Sequence, residues 1–415
     1  MEYLYILKQA LVYVLGAFWC YQMIISLCAL IKLKDKPYIT NKNHKFMAII
    51  PAHNEEMVVA SLVESLKNQN YDKELYDIYV IADNCTDKTA EVARNAGAIV
   101  YERFDPAHKT KGHALQWFLK QKIKENADYD AFFVFDADNI VDQNFIVNMN
   151  KKLCQGEEVV QGYRDIKNPT DNWITAGYAL FYWTMHRLYH LARYNVGLSP
   201  LLNGTGFMVK FDVVKPNGWE TETLTEDIEF SLKNMIQGRT LGWATDAIVY
   251  DEQPTSFKQS WSQRSRWTVG HMQCIKRYTG ELFNAVKERK TLMNFDGLLY
   301  IVGSTPMLII SMVLILINAV MYISQAMTNW ELIINILNYL IPTLLFPILT
   351  ALAVMVLEKK PIKPMIKGLL CYPLFMGTWV IINIKCLFKR ETSWEKINHV
   401  RNIKIAEVKE VTEKI

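Results

Sequence analysis

The stretch Phe132-Phe133-Val134-Phe135-Asp136-Ala137-Asp138-Asn139 constrains this chain more than any other. Four consecutive large apolar residues suit a strand buried on both faces, as in a parallel sheet covered by helices. Two acids placed directly after such a strand sit where it surfaces, and in open α/β sheets that edge is where ligands bind. Asp136 and Asp138 are close enough in sequence to serve one divalent cation, which takes oxygen ligands and in turn holds a diphosphate. Acids ending a strand are by themselves ordinary turn residues, so the pattern needs support from elsewhere.

The rest of the chain supplies a frame. Its 415 residues suggest two or three structural units. Hydrophobic residues make up 51% and charged residues 21%, but they are segregated. Apolar runs cluster at both ends, while turn and cap chemistry lies between about Lys45 and Asp251, which is the layout of a membrane protein with one large aqueous domain. A net charge of +4 is too modest to indicate nucleic acid as a partner. Cys20, Cys28, Cys85, Cys154, Cys274, Cys371 and Cys386 form no C-x-x-C pair, which fits reduced thiols better than a disulfide scaffold.

Ala10 to Ile31 is long enough to cross a hydrocarbon core, which takes about 20 residues. Lys32, Lys34 and Lys36 follow, so the positive-inside rule puts the next part of the chain in the cytosol. From Phe46 the pattern alternates. Phe46 to Ile50 reads as a strand stopped by Pro51, and Val58, Val59, Leu62, Val63 and Leu66 share one helical face. Ile78 to Ala82, the helix Asp87 to Ala96 closed by Gly97, the strand Ala98 to Tyr101 and the helix Lys111 to Glu125 follow. This alternation implies a mainly parallel sheet flanked by helices. Ser256 to Tyr278 mixes aromatic and cationic residues as a membrane-surface helix does. Three apolar runs come next, Leu298 to Ile323, Ile333 to Leu357 and Met365 to Phe388. One crossing before the aqueous domain and three after it would put the tail outside, yet seven Lys and Arg lie beyond Phe388 and prefer the cytosol. The third run is the suspect, because Pro361, Pro364 and Pro373 disfavour a straight span. The expected divisions are 1–36, a membrane helix; 37–255, the aqueous domain; 256–291, interface helices; 292–390, a membrane region; and 391–415, a basic tail.

Further motifs line the same sheet edge. Pro51-Ala52-His53-Asn54-Glu55 follows the first strand and suits a nucleoside, or else is a loop whose Asn54 caps a helix. Asp83, ending the second strand, suits a base edge or a plain turn. Lys111-Gly112 opens a helix, where free N–H groups favour phosphate. Thr225-Glu226-Asp227 starts another helix. Thr225 is its expected cap, and Asp227, ionised at the helix N-terminus, suits proton abstraction from a hydroxyl. Gln263, Arg266 and Trp267 of Gln263-Arg264-Ser265-Arg266-Trp267 share one helical face, offering an amide, a guanidinium and an indole.

Read in order, these motifs resemble the membrane-integrated processive family 2 glycosyltransferases, the group of cellulose, chitin and hyaluronan synthases. The resemblance covers roughly Phe46 to Arg277 and implies a GT-A type α/β domain with transmembrane and interface helices. It implies that Ala52, His53, Glu55 and Asp83 hold the uridine and that Asp138, with Asp136 beside it, holds Mg2+ or Mn2+ and the diphosphate. Asp227 matches the catalytic base. Gln263, Arg266 and Trp267 match the segment that closes over the diphosphate and supports the acceptor. Arg264 within that segment, Lys111, Glu226 and the small-residue loop at Gly204 and Thr205 join the expected substrate-binding set. The implied partners are a UDP-sugar donor, a growing polysaccharide and the lipid bilayer. The implied reaction is inverting, metal-dependent chain elongation, with UDP-glucose and a β-glucan foremost. The implied location is the cell membrane, as a multi-pass protein with the catalytic domain in the cytosol. Two alternatives are a single transfer to a lipid acceptor and a non-enzymatic membrane scaffold or transporter. Cellulose synthases of this group usually have more membrane helices and some carry a cytoplasmic regulatory domain, whereas the short basic tail of this sequence leads to the expectation of no nucleotide second-messenger control.

Overall fold

The computed structural model describes residues 2–31, 36–324 and 329–388. The basic tail, Lys32 and Lys34 lie outside the described residues. The strands are β1 (Phe46–Ala52), β2 (Tyr76–Asp83), β3 (Ile99–Arg103), β4 (Ala131–Val134), β5 (Ile140–Val141), β6 (Val159–Ile166), β7 (Phe207–Lys210) and β8 (Gly242–Asp251). They form one eight-stranded sheet in the order β3-β2-β1-β4-β7-β6-β8-β5. Its first half is parallel throughout, and β7 then runs antiparallel to both β4 and β6. The alternation read from sequence therefore describes β1 to β4, and the complete sheet is mixed.

Around the sheet run α1 (Glu2–Leu27), α2 (Val59–Lys67), α3 (Thr89–Ala96), α4 (Lys111–Lys124), α5 (Phe145–Cys154), α6 (Trp173–Met185), α7 (Ala192–Asn195), α8 (Phe211–Val214) and α9 (Glu226–Ile236). Then come α10 (Phe257–Arg289), α11 (Leu292–Ser324), α12 (Asn329–Leu357) and α13 (Ile366–Phe388). Successive strand residues point to opposite faces, and both faces are covered. Phe46, Ala48, Ile50, Phe133 and Phe135 pack with α2 and α5 on one side. Met47, Ile49, Phe132 and Val134 pack with Leu115 and Phe118 of α4 on the other. Each buried phenylalanine contributes roughly 1.5–3 kcal/mol. That burial fixes the strand end at which Asp136 and Asp138 emerge.

Two local expectations fail for identifiable reasons. Pro51 does not stop β1; it pairs with Ile81 inside the strand. The Ile49 carbonyl accepts from Phe135 on the β4 side, so Pro51 faces that side too, beyond the last β1/β4 pair at Ile49 and Val134. Its missing N–H therefore costs no ladder bond there. Asn54 does not cap α2. It sits at φ 57°, and its Oδ1 accepts from the Thr86 N–H at 2.7 Å, joining the loops after β1 and β2.

Among the described residues, Glu2–Leu30, Leu340–Leu357 and Lys363–Phe388 are long and apolar enough to cross a membrane. Leu292–Gly303 and Met307–Val320 add a fourth span if their 50° bend belongs to one broken helix. The prolines do not break the third C-terminal run: α13 continues through Pro373, which lies inside it.

Candidate active site

Lys111 is the hub of the cleft. The Thr110 hydroxyl caps α4 by accepting from the His113 N–H at 3.3 Å, which places Lys111 in the first turn. Its Nζ lies 2.5 Å from Asp136 Oδ1, 2.6 Å from the Gly204 carbonyl and 3.9 Å from Glu226 Oε1. Three motifs remote in sequence thus meet at one ammonium. Gly112 serves packing: a Cβ there would lie 2.5 Å from Thr221 Oγ1 and 3.3 Å from Glu226 Cβ, blocking the approach of α9.

The turn carrying Asp136 and Asp138 is braced from behind. The Asp136 N–H donates to Asn139 Oδ1 at 3.1 Å and to Thr205 Oγ1 at 3.0 Å, while the Thr205 hydroxyl donates to Asn139 Oδ1. Thr205 is fully buried, so it supports the turn instead of reaching a ligand, contrary to its expected role. The Asn139 amide also reaches Asp251 Oδ1 at 3.1 Å, and the Lys167 ammonium donates to the Asp138 carbonyl.

Arg164 of β6 was not foreseen. Its Nε donates to Asp251 Oδ2 at 2.9 Å and its Nη1 to the Asn203 carbonyl at 2.9 Å, and its guanidinium lies 4.5 Å from the Tyr182 ring centre. Gly204 separates it from the candidate base. A Cβ on Gly204 would lie 3.7 Å from Arg164 Nη1 and 3.8 Å from Asp227 Oδ2, and its φ of +90° favours glycine. Asp227 Oδ1 accepts from the Ile228 N–H at 2.8 Å. Thr225 does not cap α9, because α10 crosses the helix start. A Cβ on Gly270 would lie 2.9 Å from the Thr225 nitrogen, and the Thr225 hydroxyl lies 3.6 Å from Cys274 Sγ.

The loops after β1 and β2 form the neighbouring part of the edge. His53 Nδ1 lies 2.7 Å from the Asp83 carbonyl, the Glu55 N–H donates to Thr89 Oγ1 at 2.7 Å, and Ala52 is buried. Asp83 is held by an unforeseen partner, Arg103, whose Nη1 donates to Oδ1 at 2.6 Å. On α10, Gln263 Oε1 accepts from the Tyr178 hydroxyl at 2.8 Å. The Trp267 ring stacks 6.2 Å from Trp379 and stands edge-on to Tyr178 at 6.1 Å. Arg264 does not join this face. It is fully buried and donates to the Phe375 carbonyl at 3.3 Å and to Thr378 Oγ1 at 2.7 Å on α13, because adjacent helical residues point about 100° apart. It is a packing residue, not a substrate ligand.

Residues 44–270, more than half of the chain, match the family described as Glycosyltransferase like family 2. The chain belongs to that family. It is 25% identical over 260 residues to the probable glycosyltransferase YdaM of Bacillus subtilis, covering 59% of each chain. It is 29% identical over 252 residues to a beta-monoglucosyldiacylglycerol synthase of Nostoc sp., covering 59% of this chain and 52% of that one. It is 26% identical over 248 residues to the poly-beta-1,6-N-acetyl-D-glucosamine synthase of Staphylococcus aureus, covering 58% and 57%. The matches therefore span less than two thirds of these relatives. Among solved structures, the mannosyltransferase PcManGT from Pyrobaculum calidifontis, in complex with GDP-Man and Mn2+, superposes with a TM-score of 0.59 at 15% identity. It covers 92% of this chain and 99% of that one, and the likeness shows the GT-A fold.

In this family 2 glycosyltransferase the cleft is a buried field of opposed charges. Burial alone would raise Asp136, but Lys111, Arg164 and Arg266 outweigh it and hold the carboxyl below its usual range. Burial would lower Lys111, yet Asp136 and Glu226 keep it above. Glu226 is pushed up to about 7 by burial, with the adjacent Asp227 adding to the rise despite Lys111. Asp227 is raised by burial against the pull of the Ile228 N–H and Lys111. Burial pushes Asp251 up to about 7 despite Arg164. Asp136 and Asp138 are hard oxygen donors that fit Mg2+ or Mn2+. Among the described residues no group of three or more His, Cys, Asp or Glu could enclose an ion. Mg2+ held by one or two carboxylates takes its other ligands from phosphate and water, so this donor set fits a cation shared with a diphosphate.

Proposed function

We propose that the protein is an inverting hexosyltransferase that uses a UDP-sugar, glucose foremost, to elongate a β-linked glucan at the cytosolic face of a membrane. The convergence of Asp136, Gly204 and Glu226 on Lys111, with Asp227 beside Gly204 and α10 packed on the start of α9, carries this reading. The loops holding His53, Glu55 and Asp83 would receive the uridine. The diphosphate would lie against Lys111 and Arg266, whose charges offset the negative charge on the leaving UDP. A divalent cation held by Asp136 and Asp138 would add Lewis-acid stabilisation there. Asp227 takes the proton of the acceptor hydroxyl as its oxygen bonds the anomeric carbon, and the bond from that carbon to the diphosphate breaks with its electrons leaving on UDP. One displacement with one base inverts the anomeric centre, by the same geometry that separates the glycosidase classes. Trp267 offers the acceptor ring an apolar flank.

The similarity to beta-monoglucosyldiacylglycerol synthases favours a second reading, a single transfer to a lipid. Incubation with radiolabelled UDP-glucose followed by gel sizing and solvent extraction separates them. A high-mass ladder is expected; one lipid-extractable species would establish the second reading and overturn the first.

A further inference from the structure

Residues 220–225, which lead directly into α9 and Asp227, belong to neither helix nor strand. Backbone N–H groups in such a stretch have no ladder and need other acceptors. Here three consecutive ones find side chains. Glu229 Oε2 accepts from the Glu222 N–H at 2.8 Å and from the Thr223 N–H at 2.7 Å, and Gln273 Oε1 accepts from the Leu224 N–H at 2.9 Å. Glu229 is 1% exposed, and its other oxygen accepts from the Tyr278 hydroxyl at 2.6 Å. A buried carboxylate is costly unless its oxygens are satisfied, and a fully satisfied polar group rigidifies its surroundings.

Gln273 and Tyr278 belong to α10, the helix that carries Gln263 and Trp267. Trp267, Gly270, Cys274 and Tyr278 follow one another at intervals of three, four and four residues, so they form one stripe along that helix. The stripe lies on the lead-in to the base: Gly270 admits the Thr225 nitrogen, the Cys274 thiol lies 3.5 Å from the Thr223 hydroxyl, and Tyr278 closes on Glu229. Trp267 precedes Tyr278 by about 16 Å, at about 1.5 Å of helix per residue. One continuous helix therefore joins the indole to the phenol that holds Glu229, and Glu229 stands two residues after Asp227.

We propose that Glu229 and Tyr278 are positioning residues that hold Asp227 in register with the acceptor platform on α10 and so direct the sugar to the acceptor instead of to water. The inference rests on the transferase reading, with Asp227 as base and Trp267 as platform. In transfer, Asp227 takes the proton of the acceptor hydroxyl, whose oxygen bonds the anomeric carbon as the bond from that carbon to UDP breaks. In hydrolysis a water molecule replaces that hydroxyl, and free sugar results. Water reorients to meet a displaced carboxylate, whereas a hydroxyl on a ring held against Trp267 does not. A misplacement of about 1 Å costs such a reaction about 100-fold. Loosening the bonds to Glu229 therefore falls mainly on transfer.

Tyr278→Phe keeps the ring and removes only the bond to Glu229. Purified full-length protein, given UDP-glucose or UDP-N-acetylglucosamine labelled in the sugar, reports both reactions, as label in product and as free sugar. In Tyr278→Phe the ratio of transfer to hydrolysis should fall about tenfold, with UDP affinity by calorimetry within about threefold of wild type. Glu229→Met removes every bond to the carboxylate and should lower the ratio at least as far; Tyr278→Phe alone decides if that variant does not fold. In a Trp267→Ala background, adding Tyr278→Phe should leave the ratio unchanged, because the platform with which the base is aligned is gone. Transfer and hydrolysis falling in parallel in Tyr278→Phe, or an effect of undiminished size in the Trp267→Ala background, would overturn the positioning role and leave the transferase reading intact. A wild type that forms neither product nor free sugar from either donor would overturn that reading and this inference with it.

Discussion

Asp227→Asn isolates the chemical step. The substitution preserves size and, through the amide oxygen, the 2.8 Å bond from the Ile228 N–H, so the start of α9 should keep its shape. It removes the one capacity the mechanism needs, acceptance of a proton. A positioned general base contributes about 10²–10⁴-fold, or roughly 3–5 kcal/mol at about 1.4 kcal/mol per tenfold. Burial raises Asp227 and so makes it a stronger base than a solvated aspartate, which favours the upper part of that range. Glu226→Gln is the necessary comparison, because Glu226 lies one residue away. Its 3.9 Å approach to Lys111 is the longest of that lysine's three contacts, and the bonds to Asp136 and Gly204 remain when it is neutralised. UDP release from UDP-glucose, measured with acceptor present, should fall about 10³-fold or more in Asp227→Asn and about tenfold in Glu226→Gln. UDP affinity by isothermal titration calorimetry should stay within about threefold of wild type for Asp227→Asn. An Asp227→Asn enzyme retaining a tenth of the wild-type rate, or a Glu226→Gln enzyme losing more than Asp227→Asn, would refute the assignment of the base.

The remaining expectations concern the same cleft. A base works only when deprotonated, so the raised Asp227 and Glu226 place the acid limb of kcat/KM above the ordinary aspartate value of about 3.9. Activity should be present above that limb and lost below it, and a profile flat down to pH about 4 would contradict the electrostatics. Lys111→Met removes a charge-assisted contact worth about 1.5–3 kcal/mol and should weaken UDP binding about 10- to 100-fold; unchanged affinity in calorimetry would remove Lys111 from the diphosphate site. Trp267→Ala should impair product elongation more than hydrolysis of the donor, and equal loss of both would show that the indole does not support the acceptor.

The parts of the site that declare themselves in sequence are those where local chemistry breaks a pattern. Acids directly after Phe132 to Phe135, Lys111 with Gly112 at a helix start, and Asp227 in a first helical turn each stand out against an apolar or structural background. The bracing residues do not. Arg164 and Asp251 are separated by 86 intervening residues and meet only because β6 and β8 pair, a register no local pattern encodes. A signal existed in Val159 to Ile166, an eight-residue strand buried throughout that nevertheless carries Gln161, Arg164 and Asp165. Buried polar groups of that kind require partners. The start of α6, which the sequence reading does not include, carries a comparable signal in Asn172 and Thr175, which form a capping box. Arg264 shows the reverse error, since a motif read as a continuous string ignores that each helical residue faces a different direction.

The central claim is that Lys111, Asp136 and Asp138 bind a nucleotide diphosphate in one cation-assisted cleft. Calorimetry of purified protein titrated with UDP in Mn2+ tests it most directly, repeated after chelation and with Asp138→Asn. Saturable binding by the wild type, lost on chelation and in the variant, is expected. Absence of UDP binding by the wild type, or binding indifferent to both chelation and Asp138→Asn, would contradict it.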